Sequence, residues 1–166
     1  MKVQLVVRAS VLTAFLVAGV ATNAVAAASK TTGVSSAAPA AIMQSAYTHL
    51  VSGKPKRAIA EYSVAISLEE ISIADRAPAL LNRALAHQKL AAHDAAISDY
   101  SQAIELDALN AKTRAVALYN RGLAYSKSGR QSAAIEDYTN ALYLDPYLSE
   151  AFYSRGVALH EAGQYD

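Results

Sequence analysis

The chain contains no cysteine, which excludes disulfides, thiolate metal sites, a cysteine nucleophile and a lipid anchor on cysteine. It also lacks an excess of charge: 15 lysines and arginines against 14 acids leave a formal net charge of +1. That balance gives no electrostatic basis for binding nucleic acid or acidic lipid. There is no Gly-rich phosphate loop, no His-Glu-x-x-His and no Gly-x-Ser-x-Gly, so no catalytic residue is expected. Ser126 and Ser128 flank Lys127, but no base is placed to activate either. The four histidines, His49, His87, His93 and His160, include no two at ligand spacing on one helix, so neither a metal nor another cofactor is expected.

Aromatic residues make up only 7% of the chain. Hydrophobic residues reach 53%, but much of that is alanine, which suits close helix packing rather than a thick aromatic core. A length of 166 residues suffices for one domain with a sizeable buried interior.

Met1 to Ala28 reads as an export signal. Lys2 and Arg8 give a positive start, Ala9 to Ala21 form an apolar stretch, and Ala24-Val25-Ala26 supplies the small-x-small pattern of a cleavage site. Cleavage is expected after Ala26, with Ala28 as the next choice. An uncleaved anchor is the rival reading, but Thr22, Asn23 and several alanines dilute the second half below what a spanning helix of about 20 apolar residues needs. Loss of Lys2 and Arg8 would take the net charge from +1 to −1. The spacer that follows, assigned to residues 27–40, is rich in small and polar residues and lacks the apolar content to order itself. A periplasmic or secreted location is expected, with membrane involvement only through the export signal.

Beyond the spacer the chain repeats itself. Ala96, Ile97, Asp99, Tyr100, Ala103 and Leu106 recur in the same order and spacing at Ala134, Ile135, Asp137, Tyr138, Ala141 and Leu144. An equal step backward reaches Ala58, Ile59, Tyr62, Ala65 and Leu68. Each set follows the spacing of one helix face. The alanines let two helices approach closely, with the tyrosine filling the space beside them. A second helix precedes each, as from Ala117 to Ser128, where Gly129 supplies the stop. Gly53 holds that position one unit earlier than Ala91. Self-similarity at such a period indicates a repeat array.

Asn120-Arg121-Gly122 with Ile135-Glu136-Asp137-Tyr138, and Asn82-Arg83-Ala84 with Ile97-Ser98-Asp99-Tyr100, resemble the tetratricopeptide repeat in a bacterial variety. Residues 77–107 and 115–145 are identical at 16 of 31 aligned positions. The resemblance implies an all-α, right-handed α-α superhelix of helix-turn-helix units, about three and a half in number, over residues 41–166. The units fall near 41–72, 77–110 and 115–148, with a partial one at 149–166. The first two periods exceed the roughly 34 residues usual in that family by about one helical turn. The extra turn predicts longer first helices in the second and third units, preceded by turns at Ser72–Asp75 and near Asn110.

Arg83 stands before Asp99 at the same separation as Arg121 before Asp137. These pairs predict salt bridges within each unit, with contact across units as the alternative. The family presents its first helices along a concave groove. That placement assigns Leu81, Asn82, Leu85 and Lys89, then Tyr119, Asn120, Leu123 and Lys127, then Tyr153, Val157 and His160 to a surface suited to a peptide or partner protein. Too few of the cations that clamp a terminal carboxylate in chaperone-binding members stand here, so that clamp is not expected. The implied function is a non-catalytic scaffold. The alternative is the N-terminal repeat region of a longer envelope enzyme or assembly factor. Gly163-Gln164-Tyr165-Asp166 is the usual turn into a second helix, which favours a continuing chain over a natural capping helix. Self-association through the incomplete last unit, by Phe152, Val157 and Leu159, is a third reading.

Overall fold

Why these residues stack as paired helices is visible at each turn. A computed structural model describes residues 37–164; the expected export signal, and the spacer up to residue 36, lie outside them. Seven helices occupy the described residues: α1 (Ala37–Val51), α2 (Pro55–Ser67), α3 (Ile73–Lys89), α4 (His93–Glu105), α5 (Ala111–Lys127), α6 (Gln131–Leu144) and α7 (Ser149–Glu161). Each packs on its neighbours in chain order, and first helices also meet directly, α1 with α3 and α5 with α7.

All four first helices stop in the same way. Gly53, Ala91, Gly129 and Gly163 take left-handed φ values of 71°, 55°, 78° and 70°. The next residue then donates its N–H five residues back, Lys54 to His49, Ala92 to His87, Arg130 to Tyr125 and Gln164 to Leu159, at 2.9–3.0 Å. The pattern closes the orphan carbonyls of the helix end. Ala91 does this at a cost, because its Cβ crowds the following carbonyl in that conformation.

The extra turn of the longer periods extends α3 and α5 to 17 residues each, against 13 in α7. The expected turn over Ser72–Asp75 is shorter than the sequence suggests: α3 starts at Ile73, because Ser72 caps it by accepting the Asp75 N–H at 3.0 Å. Asn110 caps α5 by accepting from Thr113 at 2.9 Å. At the other end, α1 begins at Ala37 and so takes in the end of the stretch assigned to the spacer. Pro39 permits this because it sits in the first turn, where its missing N–H has no intrahelical partner to lose.

The interior is built from alanine and tyrosine. Ala58, Tyr62 and Ala65 of α2 are fully buried, and so are Ala96, Tyr100 and Ala103 of α4 and Ala134, Tyr138 and Ala141 of α6, to within 1%. One cluster runs continuously from Ala46 of α1 to Ala124 of α5. A smaller one joins Tyr138 and Ala134 to Ala158 of α7. Leucines seal the helix pairs; burying one such as Leu80 contributes roughly 1.5–3 kcal/mol.

Candidate functional site: the face of the first helices

Units 2 and 3 are each latched by a polar pair joining the two helices. Arg83 donates through Nε and Nη2 to the two oxygens of Asp99 at 2.8 and 2.6 Å, and through Nη1 to Ser63 Oγ at 3.0 Å. Arg121 does the same to Asp137 at 2.8 and 2.8 Å and to Ser101 at 2.9 Å. In unit 1, Ser45 and Glu61 keep the spacing with a single bond of 3.1 Å. The Arg–Asp pairs therefore close their own unit, as expected, and each arginine also reaches a serine on the second helix of the unit before. A planar guanidinium with five donors allows this, where an ammonium would not. The Asp137 carboxylate holds the Arg121 guanidinium above its ordinary pKa. These arginines are structural fastenings, with all three guanidinium nitrogens engaged.

The tyrosines extend the fastening. Tyr100 donates its hydroxyl to Gln88 Oε1 at 2.8 Å, and Gln88 Nε2 donates to the backbone carbonyl of Asn120 at 2.9 Å, linking unit 2 to unit 3. Burial pushes the Tyr100 hydroxyl far above its usual range, so it stays a neutral donor. His87 stands 3.8 Å from Asp99, and His49 binds Glu61 at 3.0 Å. No group of three metal-ligating side chains occurs among the described residues, and none of the described helices is long and apolar enough to cross a membrane.

The residues assigned to a groove fall into three classes. Leu81, Asn82, Leu85 and Asn120 are only 3–5% exposed. This corrects their placement on an accessible surface, since they pack within and between units. Leu81 and Leu85 join the main core, and Asn82 lies beside the Tyr62 hydroxyl. Tyr119 and Leu123 are half-buried. The Tyr119 ring stands 5.9 Å from that of Tyr138, and its hydroxyl neighbours Ser154 of α7. Lys89, Lys127, Tyr153, Val157 and His160 are at least partly exposed.

Exposure thus rises along the array at one register. Leu81 is buried, Tyr119 half-buried and Tyr153 71% exposed; Leu85, Leu123 and Val157 follow the same order. Among the described residues, a central unit has neighbours on both sides and α7 on one. Periodicity assigns the same face to all three and carries no information about neighbours.

Two features escaped the sequence reading. Lys54, Lys56 and Arg57 border a cavity of about 370 Å³ at the α1–α2 turn, beside Leu90; their clustering was the available signal. Tyr143 and Tyr147 are 86% and 92% exposed; Tyr143 lies one residue beyond Leu142, which continues the buried stripe, and nothing in the pattern marks it.

Comparison with known proteins agrees with this architecture. Residues 77–108 and 115–148 match family models described as tetratricopeptide repeat. No curated protein matches the chain. The fold is similar to the crystal structure of MamA, with a TM-score of 0.68 and 26% identity over 76% of this chain and 70% of that one. It is similar to the second tetratricopeptide domain of human RPAP3, solved with the HSP70 peptide SGPTIEEVD, at TM-score 0.62 and 26% identity over 72% and 97% of the two chains. The Arabidopsis OM64 tetratricopeptide domain shares the fold at TM-score 0.65 and 23% identity, over 75% and 96%. The chain therefore carries tetratricopeptide repeats and folds as their all-α superhelix.

Proposed function

We propose that this chain is a non-catalytic interaction scaffold of the cell envelope that holds a peptide segment of a partner protein along its first helices. The observation that carries this reading is the accessible strip left on that face: Lys89 and Lys127 in one register of α3 and α5, with Tyr153, Val157 and His160 on α7. Flanking half-buried rings and ammonium groups offer apolar contact, backbone-directed hydrogen bonds and a preference for acidic segments. A peptide bound to a similar domain in human RPAP3 supports it. The buried Leu81, Asn82, Leu85 and Asn120 act beneath this strip by fixing the helices that present it.

The test is capture from an envelope extract by immobilised wild-type protein and by a Lys89→Ala, Lys127→Ala, Tyr153→Ala variant, all three being surface positions. Partners bound by the strip should disappear from the variant. Undiminished capture would place binding elsewhere. The envelope location rests on the signal-like start, and N-terminal sequencing of protein from its native host should begin at Ala27. A start at Met1 would overturn export with cleavage.

A further inference from the structure

Charge that balances over the whole chain is sorted by the fold. First and second helices alternate in direction, so every turn within a unit lies at one end of the helix pairs and every turn between units at the other. The within-unit end carries Lys54, Lys56, Arg57, Lys89, Lys127 and Arg130 against Asp94 and Glu161. The between-unit end carries Glu69, Glu70, Asp75, Glu105, Asp107, Asp145 and Glu150 against Arg76, Lys112 and Arg114. Helices of 13 to 17 residues hold the two ends about 20–25 Å apart. That is more than twice the Debye length of about 8 Å at physiological salt, so the acids of one end do not cancel the cations of the other. A net charge near zero describes neither end.

The cations of the within-unit end are available. Lys54, Lys56, Arg57, Lys89 and Lys127 are all exposed, and none is in an ion pair among the described residues. Both acids there are engaged: Arg130 binds Asp94, and Glu161 accepts from Gln131. The Arg130–Asp94 tie joins the turns of units 3 and 2. One unit earlier the same registers hold Ala92 and Lys56, so the first turn has no such tie and keeps its charge. The Arg57 charge reaches Glu61, whose carboxylate is held by His49 and Ser45. Apolar side chains stand among the cations. Leu90 is 40% exposed, and Val51, in the register of Lys89 and Lys127, is 54% exposed. This end is open even where units pack on both sides, since the Asp94 side chain is 88% exposed.

We propose that the within-unit end of the helix pairs is a docking surface for an anionic lipid bilayer, on which the chain stands with its acidic end toward water. The cations follow a line across three units and do not converge on one point, which suits a plane of phosphates better than a single acidic segment. Their stems lie along apolar surface while the charged heads reach the phosphates. Leu90 and Val51 add apolar contact at the level of the headgroups. None of the described helices can cross a bilayer, so this contact is made at its surface. The proposal goes beyond the strip on the first helices, which does not include Lys54, Lys56 or Arg57.

The probe is a vesicle of phosphatidylglycerol and phosphatidylcholine in equal parts, sedimented with the protein isolated from its native host. Binding should exceed that to phosphatidylcholine alone and fall as salt is raised from about 0.05 to about 0.5 M. Lys54→Glu with Lys56→Glu should weaken it by about 25-fold or more, at about fivefold for each lysine lost. Acids at the start of α2 suit a helix N-terminus, so this variant should keep its melting temperature. Arg76→Glu with Lys112→Glu makes the same change in net charge at the other end and should weaken binding by less than about twofold. The start of the chain is common to all variants, so the differences between them report on this end alone. Tyr153→Ala should leave vesicle binding unchanged, which separates this end from the strip. Equal weakening by the two charge variants would overturn the proposal, because net charge would then govern. So would undiminished binding of the Lys54→Glu, Lys56→Glu protein, or equal binding of the wild type to phosphatidylcholine alone. A poly-glutamate peptide bound more tightly than the vesicles, and lost with the same two substitutions, would also overturn it by making an acidic protein segment the occupant.

Discussion

Arg121-Gly122 in α5 and Arg155-Gly156 in α7 are the same dipeptide at the same register, yet their surroundings are opposite. The first pair is closed: Gly122 is pressed against Tyr138, and Arg121 is bound to Asp137 and Ser101. The second is open on both counts among the described residues. A motif thus carries a capacity, and the facing helix decides whether that capacity goes to stability. The same contrast explains the groove. Leu81 and Leu85 of the central unit are absorbed into the core, whereas Tyr153 and Val157 of the last are not.

The comparison can be broken most forcefully at the latch. Asp137→Ala strands a mostly buried guanidinium and should lower unfolding free energy by about 3 kcal/mol, while Arg155→Ala should change it by less than about 0.5 kcal/mol. Equal losses in urea melts would show that α7 is as fully engaged as α5. Leucine at the two glycines should separate them almost as widely. Gly122→Leu drives atoms into the Tyr138 ring and should cost about 3 kcal/mol, whereas Gly156→Leu should gain up to about 1 kcal/mol from helix propensity. Thermal melts showing the same sign for both would erase the distinction.

A smaller effect is expected where unit 2 departs from its neighbours. Ala91→Gly removes a left-handed alanine from a position held by glycine at 53, 129 and 163, and should stabilise by about 1 kcal/mol. No gain in melting temperature would mean that the turn relaxes around the methyl group.

The smallest effect is a pH slope. Burial lowers the His87 pKa below its ordinary 6.5, with Asp99 pulling it up and Arg83 pushing it down. A base with a depressed folded pKa takes its proton more readily when unfolded. Its contribution to stability is therefore full above pH 6.5 and is lost as the pH falls toward the folded value. His87→Tyr, copying Tyr125 at the same register, should flatten the fall in melting temperature on acidification from neutrality. An unchanged slope would assign the acid sensitivity to other groups.

Most of the fold was legible from residues whose effect is local. Gly53 and Gly129 marked helix ends, the alanine–tyrosine stripe marked packed faces, and the spacing of Arg83 and Asp99 marked a pair. The reach of Arg83 back to Ser63 in the preceding unit was not legible, because it depends on how one unit sits on the last. The burial of Asn82 and Asn120 was missed for the same reason. An asparagine beside an arginine on a first helix reads as surface until the adjoining unit covers it.

By itself, then, the sequence determined the period, the helix pairing and the alanine–tyrosine interior, because backbone conformation and close packing follow from residue type at short range. Only the tertiary structure decided which copies of a repeated residue are covered. Burial depends on which helix packs on that face, and that is why Arg121-Gly122, facing α6, is a fastening while Arg155-Gly156 meets no such helix among the described residues.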